Sequence, residues 1–238
     1  MSAKFLLLLI GIVLGSVNLL AIDEQSIEED SFPGSATEAG KMLESRIMAQ
    51  ALIDYGQVAH SPESILVGVQ ILHKNPVVET IKPSGERNAD ADITELKSLV
   101  EVALEMRADD KILAEMAARI SAELEEKTRG LSGGPKRWTV TIKKGEYYLL
   151  DPRLVYDVQQ EAIVSARVVS STEATRESDS TLGITVGRDG SAKGLYTRSV
   201  AKNRTQVRWN SGPYKAGWFV KIHHLSGPDD ATIVIETN

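Results

Sequence analysis

The fold is decided at residues 130–142, GLSGGPKRWTVTI, where the period of the hydrophobic pattern changes. Three glycines and a proline in the first six of these residues cannot continue a helix. Before them apolar residues recur in steps of three and four, whereas WTVTI alternates as a strand does. The chain has 238 residues, 42% of them apolar and 25% charged. This composition is that of a globular protein, and we expect an α+β protein with two domains.

The helical pattern covers residues 37–128, which we assign to an N-terminal domain of helical hairpins or a small bundle. A first helix over residues 37–55 should end at Gly56, with Met42, Ile47 (or Leu43), Ala49, Leu52 and Ile53 directed inward. Ser61-Pro62 should start a second helix, because a serine caps free amides and proline fits the first turn. Asn75-Pro76 should stop it.

Residues 92–127 carry a coiled-coil-like seam. Its nine positions are Leu96, Leu99, Ala103, Met106, Asp110, Leu113, Ala117, Ile120 and Leu124. Asp92 and Glu95 have the spacing of a capping box at its start. The pattern fits one long helix or two helices separated at Asp109-Asp110. The seam either packs on the other helices of the chain, which the alanines and Asp110 favour, or mediates self-association.

Residues 129–137 are interpreted as a Gly/Pro hinge, and residues 138–238 as an antiparallel, jelly-roll-like β-sandwich. Short alternating runs separated by Gly, Pro and Asp turns favour this architecture. The runs are 138–142, 163–169, 182–186, 206–209, 218–222 and 232–236.

The N-terminus has the pattern of a secretory signal peptide, with Lys4, a short apolar run and small residues before an acidic segment. We therefore expect residues 1–21 to be removed, residues 22–36 to form a flexible acidic lead-in, and the protein to be periplasmic or secreted. No later segment is apolar and long enough to span a membrane.

The sign of the net charge changes at the same place in the chain as the period of the hydrophobic pattern. Residues 23–128 have a net charge of −12, and residues 129–238 have a net charge of +5. The simpler interpretation is that the two halves attract each other, and the alternative is that the basic half meets an anionic surface or glycan. Nothing in the pattern indicates a nucleic-acid partner.

Catalytic chemistry is not indicated by any motif. The chain has no cysteine, which excludes thiol catalysis. Its four histidines lack the spacing of the metal ligands in a zinc hydrolase. His223 and His224 are neighbours on a strand and should point to opposite faces. We therefore predict no catalytic residue, cofactor or metal site.

An aromatic cluster near residues 209–219 is the one candidate contact surface. A hairpin tip there could stack on a sugar ring or contact a protein, although such residues more often close a core. The candidate contact residues are Trp209, Tyr214, Lys215, Trp218 and Lys221.

Residues 137–238 resemble the bacterial pre-peptidase C-terminal domain group, β-sandwiches appended to exported proteins. Residues 179–186, DSTLGITV, follow the pattern D-x-D-L-D-L-x-V, and QVRW (206–209), GWFVKI (217–222) and the final ETN follow later strands. Of the three strand aspartates in that pattern only Asp179 is present, because Thr181 and Gly183 replace the others. One carboxylate does not form a calcium site, so we expect calcium to leave the stability of this half unchanged.

The resemblance implies an exported cell-envelope protein. With the absence of a catalytic motif, it predicts a non-catalytic protein that binds or scaffolds an envelope protein or glycan. Two alternatives stay open: a glycan-binding module that uses the aromatic hairpin, which requires an exposed Trp218, and an enzyme with an unrecognised cleft.

Overall fold

The computed structural model describes residues 34–81, 91–125, 134–150, 154–169, 179–188 and 197–238. These residues belong to one compact unit, Ser31–Asn238. The predicted signal peptide, nearly all of the predicted acidic lead-in and residues 129–133 of the predicted hinge lie outside the described residues. Helices precede strands along the chain, as the sequence predicts for an α+β protein.

Four helices make up the N-terminal half: α1 (Glu38–Ala59), α2 (Pro62–Lys74), α3 (Ala91–Met106) and α4 (Lys111–Glu125). Thr37 caps α1 by accepting a hydrogen bond from the Gly40 amide at 2.9 Å. Helix α2 starts at Pro62 and stops at Asn75, as predicted. The expected cap by Ser61 is wrong, because its Oγ bonds no backbone amide of α2 and contacts the side chains of Glu63 and Ser64.

The predicted end of α1 at Gly56 is wrong. The helix continues to Ala59, and His60 ends it with a left-handed backbone (φ 51°). Gly56 is needed for a close approach, since a Cβ there would lie 2.7 Å from Ile65 Cγ1. The inward face also differs from prediction, because Arg46 and Gln50 are buried on it while Met42 and Ile47 are half-buried.

The seam of residues 92–127 lies on two helices, not one. Asp110 separates them because its Oδ1 accepts hydrogen bonds from the amides of Ile112 (3.0 Å) and Leu113 (3.1 Å) at the start of α4. The seam residues Leu96, Ala103, Leu113, Ala117, Ile120 and Leu124 are buried in the helical core of the same chain. This burial favours the interpretation in which the seam packs on the other helices of the chain.

Within the described residues, ten strands form two sheets. They are β1 (Glu79–Ile81), β2 (Lys136–Lys143), β3 (Tyr147–Leu149), β4 (Leu154–Tyr156), β5 (Glu161–Val168), β6 (Thr181–Arg188), β7 (Thr197–Lys202), β8 (Arg204–Asn210), β9 (Ala216–Ser226) and β10 (Asp230–Thr237). The first sheet has the order β1-β2-β10-β5-β8, and the second has the order β3-β9-β6-β7 with β4 also paired to β9. Strand β1 runs parallel to β2, whereas the other described pairs are antiparallel.

Two separate clusters of buried apolar side chains form the core. One joins the four helices. The other joins the inward residues of both sheets, and includes Trp138, Ile184, Trp209, Trp218 and Ile235. Among the described helices, none is long and apolar enough to cross a membrane.

Candidate functional site

The five candidate contact residues do not form one surface. Strands β8 and β9 lie in different sheets, so residues 211–215 carry the chain from one sheet to the other and form no hairpin. Trp209 and Trp218 face each other inside the core, 5% and 1% exposed, with ring centroids 5.6 Å apart. Neither indole is accessible to a ligand. The glycan-binding interpretation, which requires an exposed Trp218, therefore loses its stacking platform.

The other three candidates lie apart from those tryptophans on the surface. Tyr214 is 70% exposed in the loop between β8 and β9. Lys215 is exposed beside it, and its Nζ contacts Asp157 Oδ1 at 3.0 Å. Lys221 lies on the outward side of β9, where its Nζ is 4.7 Å from the centre of the Tyr147 ring.

Lys221 belongs to a mixed apolar and basic surface on the second sheet, which we call the β9 face. Strand register places Tyr147 opposite His223, Leu149 opposite Lys221, and Val200 opposite Gly183 beside His223. The β9 face consists of Tyr147, Leu149, Val200, Phe219, Lys221 and His223. Tyr147, Leu149 and Val200 are all more than two-fifths exposed.

The charges that act on His223 are both positive. Partial burial lowers the pKa of His223 below its usual value, and the charges of Arg198 and Lys221 lower this pKa further. The imidazole is therefore mainly neutral near pH 7, and the positive charge of the β9 face resides on Lys221 and Arg198. Gly183 lies beside His223 on this face, where an added Cβ would lie 3.3 Å from Leu225 Cδ1 and 3.5 Å from His223 Cβ.

A second polar constellation lies between α1 and the outer side of the first sheet, and we call it the α1 interface. At its centre, Glu236 Oε1 accepts hydrogen bonds from Arg46 (Nε 3.2 Å, Nη2 2.9 Å) and Arg137 (Nε 2.9 Å, Nη2 2.8 Å). The three side chains are at most 5% exposed. Burial by itself would raise the pKa of Glu236. The charges of Arg46 and Arg137, the hydrogen bond from Arg46 and the charge of Arg167 together hold the pKa far below its usual range.

Glu95 of α3 extends this network to a second helix. It accepts from Arg137 Nη1 at 3.0 Å and from Arg167 Nη2 at 3.1 Å. Glu95 was predicted to complete a capping box with Asp92, whose side chain lies outside the described part of the structure. The carboxylate is instead directed at the sheet.

The rim of the α1 interface carries two further ion pairs. Arg204 contacts Asp54, and Arg208 contacts Glu44, each joining β8 to α1. These two ion pairs and the two contacts of Glu95 each join a base of the β half to an acid of the helical half, whereas the central pair joins Arg46 of the helical half to Glu236 of the β half. They support the simpler interpretation of the charge division, in which the two halves attract each other.

A small cavity of about 10 Å³ lies within the α1 interface. Its lining comprises Ile47, Gln50, Ser165, Ala166, Arg167, Arg204, Val234 and Glu236. Two buried donors on residues of this lining, Gln50 Nε2 and Arg167 Nε, have no hydrogen-bond partner among the described residues, and neither atom is exposed to the cavity. Unpaired buried donors are costly, so these two groups weaken the α1 interface.

Sequence reasoning missed the α1 interface. A partial signal exists, because Arg46 stands three residues after Leu43 and three before Ala49, on an otherwise apolar helix face. Glu236 likewise follows the run Ile233-Val234-Ile235 in a strand whose neighbours are buried. An isolated charge at a core-facing position indicates a buried ion pair, but does not identify its partner.

Asp179, the strand aspartate that this chain shares with the family pattern, has a structural role. Asp179 Oδ1 accepts from Asn203 Nδ2 at 2.8 Å, and Asn203 Oδ1 accepts from the Ser180 amide at 2.8 Å. These bonds hold the start of β6 against the β7–β8 turn. Within the described ranges, no group of three or more His, Asp or Glu side chains is arranged to hold a metal ion.

Comparisons with known proteins identify no family for this chain. No protein-family model and no curated protein matches the chain. Among solved structures, the crystal structure of Yersinia pseudotuberculosis-derived mitogen is similar over 44% of this chain and 85% of that chain, with 11% identity and a TM-score of 0.33. A similarity of this size carries no argument about function.

Proposed function

We propose that this chain is an exported, non-catalytic cell-envelope protein that acts by binding or scaffolding a partner protein. Its strands form a jelly-roll-like β-sandwich of the pre-peptidase C-terminal type, joined to a separate helical domain. The two hydrophobic clusters support the division into two domains, since each half packs around its own apolar core.

The observation that carries the binding function is the β9 face. Tyr147 (54% exposed), Leu149 and Val200 form an apolar surface around Lys221. Clustered exposed apolar side chains with aromatic and basic members are typical of protein contacts. Helix α1 covers the outer side of the first sheet around Glu236, so among the described sheet surfaces the β9 face is a broad one open to a partner.

The chemistry of the β9 face indicates the class of partner. Lys221 lies between the rings of Tyr147 (4.7 Å) and Phe219 (5.9 Å), which holds its ammonium group over an apolar surface. Arg198 adds a second positive charge. A protein surface that presents an acidic side chain within an apolar patch would match this face.

Cross-linking at defined positions tests the binding function. A photo-reactive amino acid at position 149, in intact cells, should give a discrete adduct, and Lys221→Glu should abolish it. The matched control places the same group at Thr141, which is exposed on the first sheet. Equal adducts from both positions, or an adduct that survives Lys221→Glu, would show that the β9 face does not bind the partner.

Export is tested independently. The N-terminal pattern predicts that the mature protein starts between Ser16 and Asp23. N-terminal sequencing of protein from the periplasm or medium should find this start, and recovery of intact Met1 there would contradict export by a cleaved signal.

A further inference from the structure

Charge is distributed unevenly between the two sheets. The described strands of the second sheet (β3, β4, β6, β7 and β9) contain four Lys or Arg residues and no Asp or Glu, whereas those of the first sheet contain four Asp or Glu residues. On the β9 face, strand register places Arg198 and Lys221 on either side of Thr185, and Leu149 beyond Lys221. The β9 face therefore presents positive charge beside apolar side chains, and no acid of the described strands of its sheet neutralises it.

This charge prevents two copies from pairing symmetrically through the β9 face. A two-fold contact would place Arg198 and Lys221 of one protomer against the same cations of the other, and like charges repel across an interface. A second copy could bind the β9 face only through a different surface that carries negative charge.

The turn between α3 and α4 provides such a surface, which we call the α3–α4 corner (Glu105, Asp109, Ile112 and Glu115). Ile112 is 73% exposed, more than any other large apolar side chain of the described residues. The three acidic residues are exposed, and in the described part of the chain none of them forms an ion pair. Residues 101–115 contain five Asp or Glu and two Lys or Arg, a net charge of −3. An exposed apolar side chain among unpaired acids is the chemistry that matches the β9 face.

The α3–α4 corner lies on a different part of the molecule from the β9 face. Helix α3 contacts the first sheet, where Glu95 accepts hydrogen bonds from Arg137 and Arg167. The β9 face is the outward side of the second sheet, whose inward side packs on the first. The sandwich core therefore separates the two surfaces, and the corner can reach the β9 face only of another copy. Ile112 is not a residue of the seam, so this contact leaves the helical core intact.

We propose that the partner of the β9 face is a second copy of this chain, which docks its α3–α4 corner with Ile112 against Tyr147 and Leu149 and its acids facing Lys221 and Arg198. This inference rests on the proposed binding function and names the partner. Because the two contacting surfaces differ, a bound pair still offers one free corner and one free β9 face. Association therefore continues into a ring or a linear assembly, which is a form of scaffolding.

Photo-cross-linking of the full chain as purified from cells tests the identity of the partner. With the photo-reactive group at position 149 and no other protein present, we expect an adduct of twice the chain mass, attached within residues 105–115 of the second copy by mass spectrometry. Lys221→Glu should lower the yield at least about tenfold, because it places an acid opposite the acids of the corner. Absence of this adduct, or attachment elsewhere, overturns the inference.

Tagged acceptor copies without the photo-reactive group test the charges. Glu115→Lys in the acceptor should lower the yield of tagged adduct at least about tenfold, and combination with Lys221→Glu in the photo-reactive copy should restore it to within about threefold of wild type. Glu125→Lys, the matched control, reverses an exposed charge beside Lys97 at the other end of α4 and should leave the yield unchanged. Equal yields from the Glu115→Lys and Glu125→Lys acceptors, or no restoration by the double reversal, would overturn the contact.

The cross-link formed in intact cells separates this inference from the binding function itself. An adduct from position 149 that contains only this chain supports both. An adduct with a different protein, lost in Lys221→Glu, overturns the second copy as partner and keeps the binding function of the β9 face. If no adduct depends on Lys221, both are contradicted.

Discussion

Arg46 of α1 and Glu236 of β10 stand 190 positions apart in the chain, and Arg46 Nη2 lies 2.9 Å from Glu236 Oε1 inside the protein. Arg137 of β2 approaches the same oxygen from the neighbouring strand. Helix and sheet therefore meet on a charge cluster that lies among apolar side chains such as Ile47 and Val234. Removing one member of such a cluster leaves buried charge without a partner.

Arg46→Met should lower the free energy of unfolding by about 3 kcal/mol, the lower end of the range for breaking a buried pair, because Glu236 keeps Arg137. Urea unfolding followed by far-ultraviolet circular dichroism measures this change. The control Arg208→Met removes a partly exposed pair with Glu44, and should cost no more than about 1 kcal/mol. Equal losses in both variants would contradict a special role for the buried pair.

Acid should weaken the same contact. The pKa of Glu236 lies below its usual value, so the unfolded chain takes up the proton first as pH falls below about 4.3. The stability that Glu236 contributes is complete above this pH and decreases progressively below it. The difference in Tm between the wild type and Glu236→Gln should therefore narrow in acid. A difference that is constant from neutral to acidic pH would show that Glu236 is not a buried carboxylate.

His223 should titrate below its usual pKa of about 6.5. Because Lys221 contributes to this lowering, Lys221→Gln should raise the pKa of His223, as followed by NMR of the imidazole. Lys215→Gln, which removes a lysine paired with Asp157, should leave it unchanged. Identical titration curves in all three proteins would show that Lys221 does not lie beside His223.

Gly68→Ala should destabilise the protein, although alanine ordinarily favours a helix over glycine by about 1 kcal/mol. The added Cβ would lie 2.6 Å from Ile53 Cγ1 and 2.8 Å from the Ala49 carbonyl oxygen, where α1 and α2 are in contact. We expect a loss of about 1–3 kcal/mol from this overpacking. Val67→Ala, at a partly exposed position on the same helix, is the control, and a stabilising Gly68→Ala would contradict the close packing of the two helices.

The secondary structure could be predicted because it depends on local patterns. Alternation in WTVTI and in residues 182–186 identified β2 and β6, and Ser61-Pro62 identified the start of α2. The pairing of strands could not be predicted in the same way. The turn residues 211–215 fit a hairpin as well as a crossover, and the two are distinguished by tertiary pairing, in which β8 pairs with β5 and β9 pairs with β6.

The α1 interface was beyond prediction for a related reason. Its charges come from α1, α3, β2, β5, β8 and β10, and their convergence depends on tertiary packing. Strand β1 was missed because Glu79–Ile81 is short and gains its hydrogen bonds from β2, more than 50 residues later. Such elements are defined by their partners and not by their own sequence.

Two separately packed cores joined through Glu236 should unfold as one unit only while that junction is intact. All three tryptophans, at positions 138, 209 and 218, lie in the β half, so their fluorescence reports that core, whereas far-ultraviolet circular dichroism is dominated by the helices. In urea the two signals should coincide for the wild type and separate for Glu236→Gln, with the helical transition at lower urea. If Glu236→Gln shifts both signals together, the protein has one cooperative core and the two-domain account is wrong.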